Sequence, residues 1–356
     1  MDVKYSLGID ISYQTFNANL SVVDSDQNVK VVSSHKFGNN PGGFVECHAW
    51  AQKNMKQKSI RSVVTMEATG VYYENCALFL FKEGYTVSVV LPNKAKKYLQ
   101  STGQKSKNDK IDAKGLARMG AEQSLRPWEP MTEFFYQLRE LTRQQQSLQE
   151  HRTVLMNQLH ANENGMFLNK IVTKQLNGLV ATIDGQVKAI EAAIEKQVAS
   201  NTEIAAKVKK ITKIKGVGTL TVATLMAETN GFALFTSAPQ LVSYAGYDVV
   251  ENQSGKHNGK TRISKKGNSR IRRALHMPAF GVVRWGQTPF VNLFNRTLEK
   301  HNLKMKSYVA VQKKLLVVIY ALWKKDEGYD NGYDNGYIVD KCGTTLEENA
   351  QMKKAA

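Results

Sequence analysis

Tyr5-Ser6-Leu7-Gly8-Ile9-Asp10 is a short alternating apolar run that closes on an acid. A run of this kind reads as a β-strand, because side chains two apart share one face of the chain. It is the first of three strand-like stretches, at 3–10, about 16–23 and about 29–36. Turn-forming residues separate them, notably Asp24-Ser25-Asp26-Gln27-Asn28. A helix is expected after Pro41, through Phe44 and Trp50. A strand follows at 60–66, running into Val63-Val64-Thr65-Met66-Glu67. Then come a helix from Val71 to Lys82 and a strand at 85–91 stopped by Pro92. Further helices begin near Asn93 and Asp109.

Three meandering strands followed by alternating helices and strands suggest a mixed α/β sheet, as in ribonuclease H-like domains. Pro127-Trp128-Glu129-Pro130 marks the end of that region, since two prolines disfavour a continuing helix. From Phe134 to about Val208 the sequence becomes helical in character. Leu138, Leu141, Leu148, Leu155 and Leu159 form one approximate heptad stripe. Ile183, Val187, Ile190, Ile194 and Val198 form another, after a break near Asn162-Glu163-Asn164-Gly165. These read as two long amphipathic helices: an antiparallel pair, a dimerising coiled coil, or helices packed on the molecule's own core. The expected fold is therefore α/β plus α. The regions are 1–128 (mixed sheet), 129–210 (helical linker, coiled-coil-like), 211–325 (mainly helical) and 326–356. In the last, Gly328-Tyr329-Asp330-Asn331 recurs as Gly332-Tyr333-Asp334-Asn335, which reads as a disordered tail without a catalytic role.

The 356 residues exceed what one small core needs, and the formal net charge is +18. That charge favours a polyanionic partner. No apolar run reaches the length of a spanning helix, and the N-terminus does not read as a secretory signal, so no membrane role is expected. Cys47, Cys76 and Cys342 are scattered and lack zinc spacing. They read as reduced thiols of a cytoplasmic protein.

Four carboxylates carry the chemical reading: Asp10, Glu67, Asp109 and Asp112. Acids at the ends of buried strands are costly to desolvate unless a cation meets them. Asp109 and Asp112 are three apart at a helix start, so they point to one side. Four convergent carboxylates suit Mg²⁺, and a two-metal site can clamp both oxygens of a phosphodiester displacement. Singly, each acid has a plainer explanation, and Asp109 could simply cap its helix. Together, with Thr69-Gly70 after Glu67 and Lys105 and Lys107 before Asp109, they favour a metal site. Glu74 is set aside as a solvated helix position, and Asp24 and Asp26 as a turn.

The second half offers Gln253-Ser254-Gly255-Lys256 in a polar loop, then Gly259, Arg262, Ser264-Lys265-Lys266-Gly267-Asn268 and Arg270-Ile271-Arg272-Arg273. A serine hydroxyl attacks phosphate only where cations stabilise the developing charge, and this segment is rich in them. Chemistry alone favours the alternative, a Gly-rich loop that grips phosphate while Ser254 only donates a hydrogen bond. Ser243, in an expected helix from Gln240 to Ala245, is the weaker serine. Ile214-Lys215-Gly216-Val217-Gly218 before a helical run, Thr219 to Glu228, resembles a helix-hairpin-helix. There Lys215, Gly216, Gly218 and the helix N-terminus would hold a backbone phosphate without reading sequence.

These motifs, in this order, resemble the DEDD transposases of bacterial insertion sequences, similar to Piv-type DNA invertases and described as bridge-RNA-guided recombinases. The resemblance covers about 3–325. It is carried by Gly8-Ile9-Asp10, Glu67-Ala68-Thr69-Gly70 and Ser106-Lys107-Asn108-Asp109-Lys110-Ile111-Asp112-Ala113 in the first half. In the second half it is carried by Ile214-Lys215-Gly216-Val217-Gly218, Tyr244-Ala245-Gly246, Gln253-Ser254-Gly255 and Ile263 through Arg272. Asn108 stands where the family often has Thr, and Val249 follows Asp248 where a proline is common.

The resemblance implies a RuvC-like N-terminal domain, a coiled-coil linker and a C-terminal transposase domain. It implies Mg²⁺ on Asp10, Glu67, Asp109 and Asp112, and Ser254 as a nucleophile forming a 5'-phosphoserine bond to DNA. It further implies double-stranded target and donor DNA, a structured non-coding guide RNA and a homo-oligomer, dimer to tetramer. In that assembly, acids and serine come from different subunits. The expected protein is an RNA-guided recombinase that moves an insertion element in the bacterial nucleoid, without ATP or a nucleotide cofactor. Phosphate contacts are expected from Lys105, Lys107, Lys215, Gly216, Gly218, Lys256, Arg262, Lys265, Lys266, Asn268, Arg270, Arg272 and Arg273.

Three rival readings remain on the sequence. One is a metal-dependent RuvC-like nuclease, such as a junction resolvase, with Ser254 a bystander. Another is an actin-like sugar kinase, suggested by Gly8-Ile9-Asp10-Ile11-Ser12 but opposed by the charge and the lack of a second phosphate loop. The third is a non-catalytic nucleic-acid scaffold.

Overall fold

The computed structural model describes residues 2–103, 108–251, 253–254, 257–259 and 261–331. The chain forms two compact units that divide after Pro130.

The first unit is built on one five-stranded sheet. Its strands are β1 (Asp2–Ile11), β2 (Thr15–Asp24), β3 (Val29–Gly38), β4 (Arg61–Glu67) and β5 (Thr86–Val90). Helix α1 (Pro41–Asn54) joins β3 to β4, and α2 (Glu74–Lys82) joins β4 to β5. After β5 come α3 (Pro92–Ser101) and α4 (Asp109–Glu122). The order across the sheet is β3-β2-β1-β4-β5. β1, β2 and β3 pair antiparallel, whereas β4 runs parallel to β1 and β5 parallel to β4. This is the mixed ribonuclease H-like sheet that three meandering strands and two crossover helices imply.

The two faces of β1 do different work. Leu7 and Ile9 are fully buried among Phe16, Phe44, Cys47, Ala51, Met66, Cys76 and Leu80, and so form the core with α1 and α2. Ser6, Gly8 and Asp10 alternate to the other face, where α4 lies. The Ser6 hydroxyl donates to the Ala117 carbonyl at 2.6 Å, and the Lys4 ammonium to the Gly120 carbonyl at 2.9 Å. A Cβ on Gly8 would lie 2.1 Å from both the Ala113 carbonyl oxygen and the Ala117 nitrogen. The strand has glycine there because a helix backbone rests directly on it. Cys47 and Cys76 are buried and unpaired, and burial pushes the Cys47 thiol up to about 12.

The second unit is mainly helical. Helices α5 (Glu133–Glu163) and α6 (Lys170–Ala199) are the two long helices expected. They run antiparallel within the chain: Asn162 donates to Thr173, Gln145 to Glu191, and Gln197 to the Phe134 carbonyl, while Arg152 pairs with Asp184. The stripe residues Leu138, Ile194 and Val198 also enter the core of this unit, so the pair and the core packing coexist. Next come α7 (Thr202–Ile211), α8 (Thr219–Thr229) and α9 (Ala238–Tyr244). Four two-residue strands follow: β6 (Val249–Val250), β7 (Gln253–Ser254), β8 (His257–Asn258) and β9 (Arg262–Ile263). The unit ends with α10 (Ser269–Ala274), α11 (His276–Arg284), α12 (Thr288–His301) and α13 (Lys304–Lys325). No described helix is long and apolar enough to cross a membrane. The repeat tail from 332 and Cys342 lie outside the described residues.

Candidate functional site

All four acids are positioned by the backbone that carries them. The parallel register of β1 and β4 pairs Gly8 with Thr65 and Ile9 with Met66. Asp10 and Glu67 are the next residues, side by side at the carboxyl ends of adjacent strands. Both alternate to the α4 face, since Gly8 lies under Ala113 and Ala117, and a Cβ on Gly120 would lie 2.1 Å from the Thr65 hydroxyl. Gly120 sits near Ser6 and Thr65, and Ala113 near Gly8, so α4 runs against the direction of β1. Its first turn therefore points toward the strand ends. That turn carries Asp109 and Asp112.

The start of α4 is fixed by Asn108, whose side-chain oxygen accepts from the Ile111 amide at 2.9 Å. A threonine at this place can cap in the same way. Asp10, Glu67 and Asp112 are half-buried, while Asp109 is exposed. Among the described residues, no three His, Cys, Asp or Glu side chains are gathered closely enough to hold a metal ion. The structure thus brings the acids to one edge of one sheet face without closing them into a cage. Their oxygen donors are of the hard type that Mg²⁺ prefers. Lys105 and Lys107, just before α4, lie outside the described residues.

Glu74 begins α2, and Asp24 accepts from the Asp26 and Asn28 amides in the expected turn. A cavity of about 530 Å³ lined by Arg61, Thr86, Trp128 and neighbours opens at the amino ends of β4 and β5, away from the acids.

Ser254 belongs to the second unit. It is exposed on β7 and pairs with His257 of β8, with Gly255 and Lys256 between them outside the described residues. β6 and β9 pair below it, Val249 with Ile263 and Val250 with Arg262. The polar loop is therefore a narrow two-tier ribbon carrying Ser254 near its outer end. Two-residue strands leave no alternation to detect, which hides this ribbon from a reading of hydrophobic period. Ser243 lies on α9 and donates to the Asp248 carboxylate at 3.0 Å.

The cationic residues fall into two groups. Lys215, Arg262, Lys265 and Lys266 are exposed, as are Gly216 and Gly218, where α7 and α8 meet. Gly216 has φ +101°, and a Cβ there would lie 2.9 Å from the Gly281 carbonyl carbon, so its absent side chain lets the turn dock on α11.

Asn268, Arg270, Arg272 and Arg273 are instead already engaged. Asn268 caps α10 with its oxygen and donates to Glu228 at 2.7 Å with its nitrogen. Arg270 donates to Gln146 at 2.9 Å and stands 3.8 Å from Glu228. Arg272 donates to the Ala245 carbonyl at 2.8 Å, and Arg273 pairs with Glu150.

Glu228 is the centre of this arrangement and is not visible from the sequence. It is 3% exposed and forms a two-pronged pair with Arg143, at 2.8 and 3.1 Å. Burial alone would raise its pKa, but the hydrogen bonds from Arg143 and Asn268 and the Arg143 and Arg270 charges outweigh that and hold it below the usual carboxylate range. Glu228 thereby ties α5, α8 and α10 together at the base of the ribbon.

The chain has relatives over most of its length. The Pilin gene-inverting protein of Moraxella lacunata is 28% identical over 329 residues, covering 92% of this chain and 98% of the relative. The Transposase for insertion sequence element IS1111A of Coxiella burnetii is 22% identical over 271 residues, covering 69% and 73%. A Thermus thermophilus RuvC structure aligns with 35% of this chain and 99% of its own, at 13% identity and a TM-score of 0.27. A family model for DEDD-type IS110 elements, described as Transposase, matches residues 7–167. A second, described as Transposase IS116/IS110/IS902 family, matches residues 208–293. Two models of one family, matched in order over more than half of the sequence, settle its kinship: the chain belongs to the IS110 family of transposases.

Proposed function

We propose that this transposase is an RNA-guided DNA recombinase whose acids support attack on DNA by Ser254. The observation that carries the proposal is the meeting of three elements at one sheet edge: the ends of β1 and β4 and the first turn of α4. Asp10, Glu67, Asp109 and Asp112 would hold divalent metal, for which their oxygen donors are suited. A bound divalent ion would neutralise charge developing on the phosphate.

Ser254 supplies the nucleophile. Its exposed place on a narrow ribbon suits a hydroxyl that must reach a phosphodiester. The Oγ–P bond forms as the P–O3' bond breaks; Oγ gives up its proton and the departing 3' oxygen gains one. The 5' phosphate is then held as a serine ester. A 3'-hydroxyl from the exchanged strand attacks that ester, breaks the Oγ–P bond and returns the serine hydroxyl. Bond energy is conserved at each step, so neither ATP nor a nucleotide cofactor enters.

Exposed Lys215, Arg262, Lys265 and Lys266, with the net charge of +18, would hold phosphates of target and donor DNA. A relative of nearly full length named as a gene-inverting protein supports exchange of strands over simple cutting. Guidance by a structured non-coding RNA, assembly up to a tetramer and action on the bacterial nucleoid are supported by the family resemblance.

The test is trapping of protein–DNA adducts with Mg²⁺ on DNA spanning the element's ends, with its flanking non-coding RNA. Adducts should form with the native chain and disappear in Ser254→Ala and Asp10→Asn. A Ser254→Ala chain that still recombines DNA refutes the serine role.

A further inference from the structure

Two tyrosines stand beside the acids on the same strand ends. Tyr13 is 71% exposed at the tip of the β1–β2 turn, three residues after Asp10. Tyr72 is 41% exposed in the turn that follows Glu67 by five residues. Their rings meet edge to face, with centroids 5.6 Å apart and planes at 62°. Three residues of chain reach at most about 10 Å, so Tyr13 lies within roughly three stacked nucleotides of Asp10.

These rings are mounted on a fixed backbone. The Asn39 side-chain amide donates to the Ser12 carbonyl at 2.9 Å and to the Tyr72 carbonyl at 3.2 Å, tying both turns together. The Asn39 amide donates to the Gln14 carbonyl at 2.8 Å, and the Ser12 hydroxyl to the Thr15 carbonyl at 2.7 Å. One polar side chain of β3's trailing segment thus pins the turn after β1 to the turn after β4. Exposed aromatic rings held this firmly lose little freedom on binding.

The surroundings indicate what the rings meet. Ser12, Gln14, Asn39 and Thr69 flank them, and Val71 is the one exposed aliphatic neighbour in these turns. A protein-docking face would need a contiguous apolar patch of several hundred Å². Two rings in a polar frame, beside a phosphate-cleaving edge in a chain of charge +18, suit a single planar base.

We infer that Tyr13, backed by Tyr72, is a stacking platform for a nucleobase of the DNA strand whose phosphate reaches Asp10 and Glu67. This rests on the DNA-recombinase reading above. Stacking tolerates any base, so the platform would position the strand without reading its sequence. Tyr13 is thus a positioning residue for the reaction.

The experiment uses the full chain and a single-stranded DNA oligonucleotide carrying 2-aminopurine, whose fluorescence is quenched by stacking. Affinity and quenching are measured at several salt concentrations for the native chain and for Tyr13→Ala, Tyr72→Ala and Tyr13→Trp. Tyr13→Ala should bind on the order of ten-fold more weakly, with quenching lost and the salt slope unchanged, because no phosphate contact is removed. Tyr13→Trp should restore both. Native affinity and quenching in Tyr13→Ala and Tyr72→Ala would overturn the platform. So would a change of oligomeric state in Tyr13→Ala on sedimentation with DNA affinity intact, which would mark a protein contact. Adduct trapping on the same preparations separates the two readings. A native chain that binds DNA but forms no adduct counts against the serine chemistry, and leaves the stacking result to stand or fall by its own variants.

Discussion

Gly8→Ala tests how the acidic edge is held. The added methyl would lie 2.1 Å from the Ala113 carbonyl oxygen and the Ala117 nitrogen, and 2.8 Å from the Ala117 Cα. Ordinary contact begins near 3.4 Å, so the α4 backbone must retreat by about 1.3 Å. No side-chain rotation can relieve this, because the obstacle is helix backbone. The Ser6–Ala117 and Lys4–Gly120 hydrogen bonds resist the retreat.

Overpacking of this kind costs about 1–3 kcal/mol. For the first unit that is a fall of roughly 5–10 °C in Tm. The larger effect should be chemical, since the moved helix carries Asp109 and Asp112 away from Asp10 and Glu67. A displacement of about 1 Å at reacting groups lowers rates on the order of a hundred-fold. Thermal unfolding by circular dichroism and Mg²⁺-dependent adduct formation, measured well below Tm, read the two effects separately. Gly178→Ala is the control, because it lies in α6 with nothing within 4 Å of its added Cβ, and should be neutral or slightly stabilising. Native Tm and native rate in Gly8→Ala would refute the packing of α4 on β1 and its role in placing the acids.

Glu228→Gln should destabilise the second unit by about 2–4 kcal/mol at neutral pH, the low side of a broken buried pair, because Arg143 and Arg270 are 38% and 37% exposed and can hydrate. Glu228 has a folded pKa below its unfolded value, so its contribution is present above about pH 5 and is lost as pH falls through the folded pKa. Chemical denaturation from pH 7 to 3 should therefore show an acid-side loss in the native chain that is smaller in Glu228→Gln. Asn108→Ala should cost about 1 kcal/mol through the lost cap and lower metal-dependent activity, while Asn108→Thr should keep both near native.

The strands of the first unit were legible because their apolar runs are long and punctuated. Asp24 through Asn28, Pro41 and Pro92 all stand at boundaries the sequence implies. The acids were legible because each ends such a run or begins a helix. The sequence could not convey how α4 reaches the sheet: that depends on Gly8, Ala113, Ala117 and Gly120 meeting across more than a hundred residues. A glycine inside a strand is the one local sign of such an approach. Glu228 was illegible for a related reason. Its partners Arg143 and Arg270 come from other helices and Asn268 from a helix cap, and an acid inside a helix ordinarily faces water. The same network was hidden for the arginines after Ser254: Arg270 and Arg273, expected from the sequence to hold phosphate, also meet Gln146, Glu228 and Glu150.

The most direct measurement is peptide mapping by mass spectrometry of the adduct trapped with Mg²⁺ on DNA from the element's ends. A 5'-phosphate esterified to Ser254 is expected, absent when Mg²⁺ is withheld and absent in Asp10→Asn. Metal-dependent cleavage that leaves free DNA ends and no nucleotide on Ser254 would contradict it and make the chain a plain nuclease.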